Sequence, residues 1–155
     1  MEPKPAESKV PFSLHGTPGL RLWSTISATG AIRGMHTMVD HLFVVVGTGL
    51  YVVDANKAST FLGSISGTGL VSMASNGTQV AIVSDVDIYI ATVSTLVNSG
   101  ATNAVGVAFQ DGYSLFAERN SQRFYISDLY DGTSFDPTEF ALANADPDNN
   151  VAIVN

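Results

Sequence analysis

Three stretches of this chain lie over one another at a nearly constant pitch, and that recurrence restricts the fold more than any other feature. "MVDHLFVVVGTGLYVVD" (38–54), "ASNGTQVAIVSDVDIYIAT" (74–92) and "FQDGYSLFAERNSQRFYISD" (109–128) each run from a turn pair through an apolar strand and a second turn to a strand holding a tyrosine. The turn pairs Asp40-His41, Asn76-Gly77 and Asp111-Gly112 begin 36 and 35 residues apart, and Tyr51, Tyr89 and Tyr125 fall 38 and 36 apart. Such a period marks one supersecondary unit repeated, each copy unable to bury its apolar faces alone.

The turn chemistry says what the unit is. Asn-Gly and Asp-Gly favour the two-residue hairpin, whose central positions take positive φ. Gly47-Thr48-Gly49, Asp85-Val86-Asp87 and Asn120-Ser121 supply the second turn of each copy. Each copy then offers three or four short antiparallel strands in a span of the size of a β-propeller blade. "LFVVV" (42–46) reads as a strand covered on both faces by neighbours. The expected fold is all-β, a partial propeller of about three blades near 30–69, 70–108 and 109–150, within a domain spanning 20–155. "VAIVN" (151–155) looks like the first strand of a further unit, so the chain is expected to be the N-terminal part of a longer protein. Pro3, Pro5, Pro11 and Pro18 predict an extended arm over 1–19, and the one helical turn expected is at Glu139–Asn144.

Composition narrows the function classes. The chain has 155 residues, 45% hydrophobic content and a net charge of −7, enough for a packed core. Residues 1–40 carry +1 (four basic, three acidic), 41–110 carry −2 (one, three) and 111–155 carry −6 (two, eight). Seven scattered Lys and Arg do not make a phosphate-gripping surface, so no sequence-specific nucleic-acid binding is expected. Without cysteine, thiolate zinc sites and cysteine nucleophiles are excluded. No apolar run approaches the ~20 residues of a membrane span, and no membrane partner is expected.

Each candidate chemistry has a plainer competitor. Gly63, Gly67, Gly69 and Gly77 lack both the Gly-Lys-Ser/Thr ending and the G-x-G-x-x-G spacing of phosphate loops, which leaves them as turn residues. By this reading Gly67 and Gly69 connect blades and Gly77 tips a hairpin. Of His15, His36 and His41, the last two lie five apart around a predicted strand and turn, which points them to different sides; only Asp40 offers a third metal ligand nearby, and the histidines read as exposed turn residues. Asp146-Pro-Asp148-Asn-Asn150 copies the opening of a calcium loop, but Val151 stands where glycine is required. Asp128, Asp131 and Asp136 read as turn residues. Asp85 and Asp87 lie in a predicted turn, not as facing acids, and no Ser occupies a G-x-S-x-G elbow. Trp23, Tyr51, Tyr89 and Tyr125 fit blade packing better than sugar stacking, although a glycan-recognising propeller remains the alternative function. No catalytic, cofactor-binding or metal residue is assigned, and no cofactor or enzymatic activity is expected.

Beyond the period itself, "HGTPGLRLW", "GAIRGMHTM", "GSISGTGLVSMASNGTQVAIV", "FQDGYSLF" and "SDLYDGTSFDPTEFALANADPDNNVAIV" together resemble the N-terminal part of the packaged-DNA stabilisation proteins of short-tailed phages, from about Thr17 to Asn155. These are also called tail accessory or tail hub factors. The resemblance implies a propeller-containing virion protein, present in the host cytoplasm during assembly, that forms a homo-oligomeric ring below the portal. There it would contact the portal and other tail proteins, extend the tail channel and help retain the genome. It carries over no active site; Gly67, Gly69, Asn76, Gly77, Asp111, Gly112, Asp128 and Asp131 become fold determinants.

Overall fold

A computed structural model describes residues 2–3, 12–13, 16–143 and 148–153. Two short strands, β1 (Glu2–Pro3) and β2 (Phe12–Ser13), pair with each other. Most of the proline-rich arm predicted over 1–19 lies outside the described residues, as do Asp146 of the calcium-like stretch and His15.

The rest forms three four-stranded antiparallel sheets, each a meander in chain order. Blade 1 is β3 (Ile32–Met38), β4 (His41–Val46), β5 (Gly49–Val53) and β6 (Ser59–Ser64). Blade 2 is β7 (Ser72–Ser75), β8 (Val80–Val83), β9 (Asp87–Ala91) and β10 (Leu96–Thr102). Blade 3 is β11 (Ala104–Gln110), β12 (Tyr113–Glu118), β13 (Arg123–Asp128) and β14 (Asp131–Leu142). No helix occurs among the described residues, and the all-β reading holds.

The hairpin chemistry matches the turns. Asp111 and Gly112 both take positive φ (52° and 93°), as a two-residue hairpin of the mirror-image type demands. Gly77, at φ 90°, tips the β7–β8 hairpin. The first turn falls one residue earlier than Asp40-His41 suggests, at Val39-Asp40, with Val39 at φ 53° and His41 already in β4.

Period-two alternation joins the sheets. Val80 and Ile82 of β8 point into one apolar cluster with Phe43, Val45, Leu50 and Val52 of blade 1. Ala81 and Val83, on the opposite face of the same strand, enter a second cluster with Val107 and Phe116 of blade 3. Strand β9 divides likewise, Tyr89 and Ala91 toward blade 1 and Ile88 and Ile90 toward blade 3. Blade 2 is thus apolar on both faces because both are covered. Each fully buried Ile or Phe contributes about 1.5–3 kcal/mol by leaving water.

One expected element is absent. Glu139 to Leu142 continue β14 instead of forming a helical turn. The ladder to β13 pairs Arg123 with Leu142, Phe124 with Ala141 and Tyr125 with Phe140, so sheet pairing overrides the helix propensity of Glu, Ala and Leu.

Candidate functional site

The first strands of the blades lie side by side. Val71 N donates to Arg33 O, and Val107 N donates to Ser72 Oγ. Residue 34 is glycine because Val71 crosses where a Cβ would sit. Further along, Gly106 of β11 lies against Ile153, which belongs to no strand. These strands border a cavity of about 320 Å³ lined by His36, Ser72, Ser75, Val107, Phe109 and Ile153 among others.

At the junction of blades 1 and 2 sits a buried cation, Arg33. Its Nε donates to Gly69 O at 2.6 Å, Nη1 to Gly47 O at 3.2 Å and Ile65 O at 3.4 Å, and Nη2 to Ser66 O at 2.9 Å. Nη2 also pairs with Asp85 Oδ1 at 3.2 Å. One planar fork therefore ties β3, the β4–β5 turn, the interblade connection and the β8–β9 turn. Asp85 in turn accepts from Thr68 N and Gly69 N, both at 3.3 Å. Those backbone bonds, the one from Thr68 foremost, hold its carboxyl below the usual carboxylate range, with Arg33 adding to the effect.

Gly67-Thr68-Gly69 is consequently an anion-binding loop after all, and the anion is the protein's own carboxylate. Gly67 has φ 76°, and a Cβ on it would overlap Asp85 Oδ1. Such a nest satisfies exposed backbone donors without a ligand. Asp87, two residues on, accepts from Ser66 Oγ at 2.7 Å and Tyr89 OH at 3.2 Å, while Ser66 N donates to Tyr89 OH at 3.1 Å. Both carboxylates that might have faced a substrate are spent on fastening the connection to blade 2.

The junction of blades 2 and 3 is fastened at the opposite end of β8. Asn76 Nδ2 donates to Tyr130 O at 3.0 Å, and Gly132 N donates to Gln79 Oε1 at 2.8 Å. Asn76 Oδ1 meanwhile accepts from Thr78 N and Gln79 N, which shapes the hairpin tip. Asp131 Oδ1 accepts from Thr133 Oγ1 and N, and Asp136 Oδ1 from Thr138 Oγ1 and N; both carboxyls are lowered by these bonds, the hydroxyl first. Both lie in β14, Asp131 as its first residue, so they are strand residues and not the turn residues their sequence context suggests; each binds the threonine two positions on, where the ladder to β13 shifts register.

The remaining candidates separate in space. His36 is a half-buried strand residue, not an exposed turn histidine: its Nε2 lies 2.9 Å from Ser75 Oγ, and burial lowers its pKa. His41 lies across the β3–β4 hairpin from Met38. No group of three metal-ligating side chains forms among the described residues. Tyr51, Tyr89 and Tyr125 occupy the third strand of each blade and face the same way round, toward the preceding blade position. Tyr51 meets Phe61, Tyr89 is buried against blade 1, and Tyr125 stacks on Phe116 with centroids 5.4 Å apart. Trp23 is half-exposed on the segment before blade 1.

Sequence reasoning missed Arg33 and its pairing with Asp85. The only signal was a lone arginine within an apolar strand, which a buried position must satisfy.

Comparisons with known proteins agree with this architecture. The N-terminal domain of Nup159 superposes with a TM-score of 0.51 at 11% identity, over 72% of this chain and 30% of that one. The Neurospora crassa Pan2 WD40 domain gives 0.50 at 8% identity, over 72% of this chain and 36% of that one. The chain thus spans about a third of the length of those structures, and the likeness is one of fold. No curated protein matches the sequence significantly. A family model described as bacteriophage P22 Gp10, beta-propeller, matches residues 1–155. Whole-length agreement with that model, on a chain built of propeller blades, makes this protein a member of the phage stabilisation family.

Proposed function

We propose that the protein is a structural component of a short-tailed phage tail, part of a ring-shaped hub below the portal that braces the tail and helps retain packaged DNA. The observation that carries this reading is the match of the phage stabilisation family to the whole chain. The geometry supports it: the ionic groups drawn into the first junction, Arg33, Asp85 and Asp87, are consumed in cross-links between blades. Groups held in this way join neighbouring blades, which accords with a structural role.

Charge placement bears on how DNA would be held. The first strands, β3, β7 and β11, contain no Asp or Glu. The acidic excess of 111–155 instead sits on blade 3 and beyond, with Asp128, Asp131, Asp136 and Glu139 on the outer pair β13 and β14. In a ring, an acidic surface of this kind repels phosphate, so retention comes from plugging rather than gripping.

The test is association. Purified full gene product should co-sediment with portal rings and appear below them in electron micrographs. Folded protein that fails to bind portals or tails at micromolar concentration would overturn the proposal.

A further inference from the structure

The seam between blades 2 and 3 opens into a groove of about 380 Å³, within the size range of small-molecule sites. Its sides come from different sheets. Gly100 lies in a bulge of the edge strand β10, where pairing with β9 shifts register between Asn98 and Thr102. Gly100 takes φ 75°, and a Cβ added there would meet nothing within 4 Å, so the bulge leaves open space beside the seam. Bulges of this kind recur beside functional sites because they swing an edge strand aside.

Across the gap stand Glu118 of β12, Arg123 and Tyr125 of β13, and Phe135 and Asp136 of β14. Tyr125 lies flat on Phe116 and meets Phe135 edge-on, centroids 6.0 Å apart, which fixes both rings as an aromatic wall. Tyr125 OH reaches only as far as Thr102 O, at 3.5 Å. Arg123 rests its guanidinium over Phe140, 4.1 Å from the ring centroid. Its Nε is shielded from water yet has no hydrogen-bond partner, the nearest carboxylate oxygen being Glu118 Oε2 at 3.6 Å. Shielded in this way, Nε is out of a ligand's reach too; Arg123, its side chain 39% exposed, would donate through its terminal nitrogens.

The mixture of groups selects the ligand. An anion meets Glu118 and Asp136; a cation meets Arg123. A neutral molecule that both donates and accepts hydrogen bonds, and that has an apolar face for the rings, satisfies all of them together. That description fits a sugar. We propose that this groove is a saccharide-binding site, with Tyr125 and Phe135 as its apolar wall and Glu118, Arg123 and Asp136 as its hydrogen-bonding groups. Trp23 is not among the residues that line it. The proposal stands on the groove alone and is independent of the tail assignment.

The experiment is an array of defined oligosaccharides probed with the full chain, followed by saturation-transfer NMR on the best-bound sugar. Saturable binding is expected, weakened at least tenfold by Glu118→Gln and by Asp136→Asn, both on solvent-accessible side chains, and unchanged by Trp23→Ala. Circular dichroism confirms that each variant is folded. Absence of binding to every sugar by folded protein, binding indifferent to both groove variants, or preference for an arginine-rich peptide over all sugars would overturn it.

Discussion

Arg33 holds together four segments that are far apart in sequence, and its variants separate geometry from charge. Arg33→Ala leaves the carbonyls of Gly47, Ile65, Ser66 and Gly69 without their donor, and the expected loss is on the order of 3 kcal/mol by chemical denaturation. Lysine keeps the charge but not the planar fork, so Arg33→Lys should recover less than half of that loss. Asp85 is the pH-sensitive partner. Its folded pKa lies below the ordinary value, so its contribution is complete above the carboxylate range and fades as pH falls through the folded pKa. Denaturation curves from pH 6 down to 2 should therefore show a shallower acid limb for Asp85→Asn than for the parent protein. Gly67→Ala combines a left-handed backbone with overlap on Asp85 and should destabilise more than Gly77→Ala, where only the backbone objects. Little of this was legible in advance. The pairing of residues 33 and 85 spans 52 positions and exists only once two sheets have stacked, so no local pattern announces it.

At the scale of strands, β8 is the shared wall between two interfaces, and its alternating side chains can be tested one face at a time. Ile82→Ala opens a cavity toward blade 1 and should cost about 2–5 kcal/mol, while Ala81→Leu crowds the blade 3 side and should cost about 1–3 kcal/mol. Amide exchange should be slowest in β8 and β9 and much faster in β6 and β14, the exposed fourth strands of blades 1 and 3. The blade pattern was readable because turn chemistry is local: Gly77 and Asp111-Gly112 specify hairpins wherever they stand, and the spacing of Tyr51, Tyr89 and Tyr125 follows from it. The fourth strands were harder. Glu139 to Leu142 has helical composition, and only pairing with β13 makes it extended. His36 was misjudged for the same kind of reason, since its burial arises from blade 2 packing against blade 1.

For the molecule as a whole, repetition replaces a single centre. Each junction is sealed by an apolar cluster and fastened by polar groups at one end, with Arg33 and Asp85 on one side of blade 2 and Asn76 and Gln79 on the other. Packed interiors of this kind have low compressibility, so strain at one blade is passed to the next. With its acidic excess on blade 3, the protein should bind duplex DNA no more tightly than about 0.1 mM at physiological salt, as a gel-shift titration would show. The decisive measurement is nuclease-protected DNA in phage heads assembled with the full gene product, with its Arg33→Ala variant, or with none. Full protection is expected with the parent protein, partial loss with the variant and extensive leakage without the protein. Heads that keep their DNA equally well in its absence would contradict it.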